Sequence, residues 1–229
     1  MENEPLYLIP DILLAENIFL TIGRKNILEG VTIRADKGKI TGLLGRNGAG
    51  KTTMLQSIFG TGKAQECDVF LNGARIKKPY SFDCLMNYLP QKPFLPKNLT
   101  PKEIAGQFRI DPHSVLLHFG EFEPYLNKKI AGLPGGLEWL YSVLMILLAD
   151  TRFSLLDEPF THIMPLHIDQ LKTLIAKQKE KKGIVITDHM YRPLLNICDQ
   201  LYLMKEGKSL LINDRDDLLL HGYMSSITA

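Results

Sequence analysis

Gly45-Arg46-Asn47-Gly48-Ala49-Gly50-Lys51-Thr52-Thr53 follows the pattern G-x-x-x-x-G-K-[ST]. An apolar run, Ile40 to Leu44, leads into it. A helix is predicted from Thr52 to Phe59, stopped by Gly60. Strand, glycine-rich loop and helix N-terminus together form a phosphate cradle. The glycines let backbone N–H groups curl around phosphate oxygens, and the helix start adds a partial positive charge. Lys51 is placed to reach the β- and γ-phosphates, and Thr52 to hold Mg²⁺ through its hydroxyl.

Upstream of the loop, Ile12 to Ile22 and Val31 to Ala35 read as strands. In the second, Val31, Ile33 and Ala35 alternate with polar neighbours, as expected of one buried face. The run Ile40 to Leu44 lacks that alternation and predicts a strand buried on both faces. Downstream, Val69 to Leu71 followed by Asn72-Gly73 predicts a hairpin, and Leu85 to Leu89 another strand ending at Pro90-Gln91. Prolines 90, 93, 96 and 101 then crowd together. Thr100-Pro101-Lys102-Glu103 is a capping box with proline at the first helical position, and Asp111-Pro112 opens a short helix that includes Val115 to Phe119. Residues 92–140 show helix signals and no strand, which predicts an inserted helical subdomain between two parts of a core, 1–91 and 141–229.

Leu137 to Ala149 reads as a buried helix, Phe153 to Leu156 as a strand, and Pro165 to Glu180 as an amphipathic helix with Leu171, Leu174 and Ile175 on one face. A strand over Ile184 to Thr187 ends at Asp188-His189. Leu201 to Met204 and Ser209 to Ile212 flank a turn at Glu206-Gly207, and a short helix spans Asp214 to Leu220. Strands alternating with helices around a phosphate loop predict an α/β fold with a largely parallel sheet, whose ligands bind at the carboxyl ends of the strands.

Composition narrows the function classes. The chain has 229 residues, 45% hydrophobic and 23% charged, with a formal net charge of +2 from 27 basic and 25 acidic residues. So balanced a total predicts no nucleic-acid partner. Cys67, Cys84 and Cys198 are scattered and odd in number, which argues against a disulfide framework or zinc site and fits a reducing cytosol. The acidic, polar start, Met1 to Pro5, lacks the features of a signal peptide. The longest apolar stretch, Leu140 to Ala149, is interrupted by Ser142 and is too short to span a bilayer, so membrane association would come through a partner. His113, His118, His162, His167 and His221 have no supporting context and read as surface or packing residues.

Nucleotide hydrolysis needs a metal ligand and a group that activates water. Phe153-Ser154-Leu155-Leu156-Asp157-Glu158 delivers both at one strand end: Asp157 for Mg²⁺, and Glu158 as general base. A GTPase would carry Asn-Lys-x-Asp for guanine. Its nearest match, Asn127-Lys128-Lys129-Ile130, lacks the acid.

With these motifs in order, nearly the whole chain resembles the ATP-binding subunit of ABC transporters. Gly45 to Thr53 matches Walker A, so the resemblance assigns ATP to Asn47, Gly48, Ala49, Gly50, Lys51, Thr52 and Thr53. Leu155 to Glu158 matches Walker B, with Glu158 as the catalytic glutamate. Gln91 matches the Q-loop glutamine, which in the family touches Mg²⁺ beside Thr52 and Asp157 and couples to the membrane subunit. His189 matches the switch histidine that senses the γ-phosphate. Leu133-Pro134-Gly135-Gly136-Leu137 occupies the place of the signature motif, usually L-S-G-G-Q, with Gly135 and Gly136 left to bind ATP across a dimer. The implied fold is a P-loop NTPase of ABC type: a mixed, mostly parallel sheet, an antiparallel β subdomain, and the helical subdomain carrying the signature-like motif.

The resemblance implies a head-to-tail dimer, homo- or heterodimeric, attached to a membrane-embedded permease on the cytoplasmic face and powered by hydrolysis of Mg²⁺-ATP. The alternative is a nucleotide-sensing or non-transport soluble ABC-type ATPase with weak hydrolysis. The departures fall on dimer-facing elements. Pro134 replaces the signature serine and loses a hydroxyl and an N–H donor, although proline also suits the first position of a helix. Leu137 replaces glutamine. Thr161-His162-Ile163-Met164 lacks the aspartate of the D-loop. Ile22 stands where an aromatic residue stacks on adenine, with Tyr7 and Phe19 as the nearest aromatic substitutes.

Overall fold

The apolar run ahead of the phosphate loop lies in the middle of a sheet. The computed structural model describes residues 11–189 and 191–224. In chain order the strands are β1 (Ile12–Ile22), β2 (Lys25–Asp36), β3 (Ile40–Gly45), β4 (Glu66–Leu71), β5 (Ala74–Arg75), β6 (Met86–Leu89), β7 (Phe153–Asp157), β8 (Gly183–Asp188), β9 (Gln200–Lys205) and β10 (Lys208–Ile212). The α-helices are α1 (Lys51–Phe59), α2 (Pro101–Gln107), α3 (Pro112–Leu116), α4 (Gly135–Leu148), α5 (Pro165–Gln178), α6 (Tyr191–Leu195) and α7 (Arg215–Leu220).

Two sheets result. One has six strands in the order β10-β9-β3-β8-β7-β6, parallel throughout except for the β9–β10 hairpin at one edge. The other has four antiparallel strands in the order β2-β1-β4-β5. A mixed, mostly parallel sheet with an antiparallel companion is the architecture the resemblance implies.

Burial on both faces of the parallel sheet explains its unbroken apolar runs. Every residue of β3, β7 and β8 is buried. Side chains nevertheless alternate between two cores, because successive Cβ atoms point to opposite faces. Ile40, Leu44, Leu156, Ile184 and Ile186 pack with α4 and α5 on one side. Leu43, Phe153, Leu155 and Val185 pack with Met54, Leu55 and Ile58 of α1 and with the antiparallel sheet on the other. Val31, Ile33 and Ala35 of β2 form the buried face expected of them.

Local chemistry sets the helix ends. Gly60 closes α1 in the left-handed conformation, with φ 94°, as a C-terminal glycine does. Thr100 and Glu103 complete their reciprocal capping box at α2. Asp111 caps α3, which stops at Leu116 instead of reaching Phe119. Phe119 turns into the core and meets the ring of His167 edge-on, 6.0 Å between centroids. His167 is buried, with Nε2 2.7 Å from Glu121 Oε1, so it is a packing residue. Between residues 92 and 140 no strand occurs, and α4 runs unbroken across residue 140. Pro134 is the N-cap of α4, not its first helical residue. Its backbone is extended, with φ −55° and ψ 139°, and its carbonyl accepts from the amides of Leu137 and Glu138.

The other end of α4 is closed by a buried lysine. Lys182 is 2% exposed and donates to the carbonyls of Leu147 and Ala149, with the hydroxyls of Thr151 and Ser154 within reach. Four oxygens substitute for water around the amine. Burial still brings its pKa down to about 8 from the ordinary 10.5. The folded value lies below the unfolded one, so the unfolded chain holds the extra proton between those limits and stability rises with pH across them. Replacing Lys182 by Met should abolish that rise. At pH 7 it should also cost about 1–3 kcal/mol by stranding helix-end carbonyls, read from urea unfolding.

Candidate functional site

The carboxyl ends of β3, β6, β7 and β8 deliver the predicted residues to one edge of the sheet. β3 runs directly into the glycine-rich loop. Gly50 is the N-cap of α1 with φ 98°, and a Cβ there would lie 3.0 Å from Leu28 and 3.3 Å from the Ile27 carbonyl. Only glycine fits both the backbone and the space. No side-chain oxygen among the described residues caps α1, so its N-terminus is of the kind that can take an anion.

A cleft of about 460 Å³ opens over this loop. Asn47, Gly48, Ala49, Gly50, Lys51, Thr52, Thr53, Gln91 and Glu158 line it together with Ile22 and Ile27. Lys51 is buried and donates to the carbonyls of Gly45 at 2.7 Å and Arg46 at 3.4 Å, with Glu158 Oε1 at 3.8 Å. Burial lowers its pKa, opposed by the carboxylates of Glu158, Asp157 and Asp188.

Asp157 lies at the centre. It ends β7 and is 0% exposed. Thr187 Oγ1 donates to Oδ1 at 2.6 Å, Tyr88 Oη to Oδ2 at 3.2 Å, and Gln91 Nε2 lies 3.4 Å from Oδ1. Thr52 adds a further side-chain hydrogen bond. Burial raises the carboxyl's pKa, while the donors from Thr187, Thr52 and Tyr88 pull it down. Thr52, Asp157 and Gln91 offer a hydroxyl, a carboxylate and an amide within one small volume. That hard-oxygen set fits Mg²⁺, which takes one or two carboxylates and completes its shell with water and substrate phosphates.

Glu158 follows in a left-handed backbone conformation, φ 51°, which is costly for a residue with a Cβ. Its amide donates to the Thr187 carbonyl at 2.9 Å, which holds the turn. The carboxylate lies between three groups: Oε2 is 3.2 Å from His189 Nδ1 and 3.5 Å from Thr161 Oγ1, and Oε1 faces Lys51. His189 leaves β8 with its ring 40% exposed toward the same edge.

Gly135 and Gly136 are elsewhere. They open α4 away from the cleft, and the nearest group to a Cβ on Gly136 would be the His162 carbonyl at 3.4 Å. The chain's single tryptophan, Trp139, sits one turn further along, donating to the Pro159 carbonyl at 3.2 Å and meeting His162 edge-on. At the other rim, Ile22 is 63% exposed and forms an aliphatic wall with Ile27. Phe19 does not line the cleft. Its ring lies against Gly30, and Tyr7 falls outside the described residues. Sequence reasoning missed Tyr88, Thr187 and Ile27. The signal for the first two is strand register: β6 and β8 flank β7, with Tyr88 opposite Leu155 and Thr187 opposite Asp157.

Residues 28–161 match the ABC transporter family, and the chain belongs to it as an ATP-binding, ATP-hydrolysing subunit. A lipopolysaccharide export system ATP-binding protein, LptB, of Acidithiobacillus ferridurans is 27% identical over 223 residues, 91% of this chain and 92% of that protein. ABC transporter A family member 11 of Dictyostelium discoideum is 31% identical over 216 residues. That match takes in 89% of this chain, which spans about a quarter (26%) of the longer protein. Among solved structures, the ATP-binding subunit of an ABC transporter superposes with TM-score 0.79 at 24% identity, covering 94% of this chain and 95% of that one. A bacterial Atm1-family ABC exporter with ATP bound also gives 0.79, at 16% identity, over 93% of this chain and 40% of that one. At those identities the two structures speak for the fold alone.

Replacing Thr187 by Val removes the shortest donor to the buried Asp157 and leaves its volume intact. The loss should lower the unfolding free energy by about 1–3 kcal/mol near neutral pH. The carboxyl of Asp157 should also titrate higher than in the parent, as followed by carboxyl-carbon NMR.

Proposed function

We propose that this chain is one half of a head-to-tail ATP-hydrolysing pair docked beneath a membrane-embedded permease. The observation that carries the reading is the placement of Glu158 between His189 and Lys51, beside the buried Asp157. Loop amides and Lys51 bind the phosphates. Thr52, Asp157 and Gln91 would hold Mg²⁺, which would neutralise phosphate charge there. Glu158 takes the proton of the attacking water, and His189 orients Glu158 and registers the γ-phosphate. Ile22 and Ile27 offer the base an aliphatic surface in place of an aromatic stack.

The helical segment 92–140, reached through Gln91, passes motion to the permease. Among the described residues no helix is long and apolar enough to cross a membrane, so attachment to the membrane's cytoplasmic face falls to that partner. A non-transport role with weak hydrolysis is not favoured, because the similar proteins carry transport and export names.

The second ATP-binding subunit supplies the missing half of the site. With Pro134 at the N-cap, α4 begins without a capping side chain and without a donor at that residue. A hydrogen bond to a charged phosphate forgone there is worth about 1.5–3 kcal/mol. This favours a heterodimer in which another chain brings an intact signature over Lys51, with a homodimer of two weakened sites as the second arrangement.

Glu158→Gln should leave ATP binding within two-fold of the parent and cut turnover by roughly 10²–10⁴. Unchanged turnover would remove Glu158 from its role. Mixing the purified chain with ATP-binding subunits from the same cell should raise its ATPase rate by roughly ten- to a hundred-fold, the span of that hydrogen bond. Full activity of the chain by itself would exclude the heterodimer.

A further inference from the structure

The turn after α7 comes back to the phosphate loop. Gly222 has φ 66°, and the amides of Tyr223 and Met224 both donate to the Leu218 carbonyl, which folds the chain back over the end of the helix. Two cations hold this turn in place. Lys205 donates to the His221 carbonyl at 3.0 Å, and Arg46, the second residue of the phosphate loop, donates to the Gly222 carbonyl at 3.3 Å. A cavity of about 340 Å³ lies between the turn, Ala49 and the end of β9, while Tyr223 and Met224 pack against the core.

Tyr223 reaches past that cavity. Its hydroxyl donates to the backbone carbonyl of His189 at 3.1 Å and also meets the backbone amide of Gly45, where β3 becomes the loop. One phenol therefore spans the two strand exits that the hydrolytic site depends on. We infer that Tyr223 is a positioning residue for His189: it fixes the carbonyl of that residue against the start of the phosphate loop, and so sets where the imidazole stands relative to Glu158. This rests on the roles given above to His189 and Glu158.

The geometry favours positioning over simple packing. The ring nitrogen of His189 is 3.2 Å from Glu158 Oε2 and 3.5 Å from Asp188 Oδ1, and the side chain is 40% exposed, so these two carboxylates are what the ring must reach from its backbone. The position of that backbone sets how far the ring is from each of them. The partners that hold that backbone after β8 ends decide whether the imidazole faces Glu158 or solvent. A residue outside all the nucleotide motifs thereby gains a hold on the hydrolytic geometry.

The test is Tyr223→Phe, which keeps the ring and removes the hydroxyl, made in the full chain and purified with its partner subunits for turnover. In the chain without nucleotide, the imidazole nitrogen resonances of His189, assigned by their loss in His189→Ala, should shift. The kcat should fall about three- to ten-fold, the equivalent of one ordinary hydrogen bond, with KM for ATP changed less than two-fold. In a His189→Ala background Tyr223→Phe should cost nothing further. Unmoved His189 resonances, or a loss that adds fully to that of His189→Ala, would overturn the inference and leave Tyr223 a packing residue. Full turnover by His189→Ala alone would instead overturn the reading of the site, a separate and distinguishable failure.

Discussion

A carboxylate with no exposed surface must be surrounded by donors, and in this protein that requirement assembles the candidate site. Asp157 draws its hydrogen bonds from the end of β8 through Thr187, from β6 through Tyr88, from the segment after β6 through Gln91, and from α1 through Thr52. An unpaired charge there would be costly in a low-dielectric interior. Satisfying it brings three separate pieces of chain to the end of β7. Whatever disturbs that point is felt by the phosphate loop and by Glu158 together.

The two-faced sheet is what makes this arrangement affordable. Each central strand contributes alternate side chains to two apolar cores. The strand exits are thereby anchored from both sides, and polar groups gather only where the strands stop. Strain is tolerated at the same place. Glu158 holds a left-handed backbone that isolated peptides avoid, kept there by the Thr187 carbonyl. A strained residue next to a satisfied one is common where geometry serves chemistry.

Most of this was readable from the residues because the strongest signals were local. The G-x-x-x-x-G-K-T run, the capping box at Thr100, the Asn72-Gly73 turn and the apolar strand before Asp157 each carry their own chemistry. Features that depend on tertiary neighbours were not readable. Tyr88 and Thr187 acquire meaning only through strand order, which places β6 and β8 on either side of β7. Helix α6 and the 3₁₀ turns at Pro79–Ser81, Gly120–Tyr125 and Ile130–Gly132 are too short to leave a periodic pattern. Pro134 illustrates a finer limit. Proline suits either the first helical position or the residue before it, and only the extended ψ of 139° places it as the cap.

Trp139 has a use beyond packing. It is the only indole in the chain, it is almost fully buried near the start of α4, and its ring edge meets His162 in the segment after Glu158. Its fluorescence therefore comes from one known junction, between the signature-like helix and the loop that follows Glu158. The protein carries a native optical reporter beside its signature-like motif, with no label to attach and no competing tryptophan to subtract.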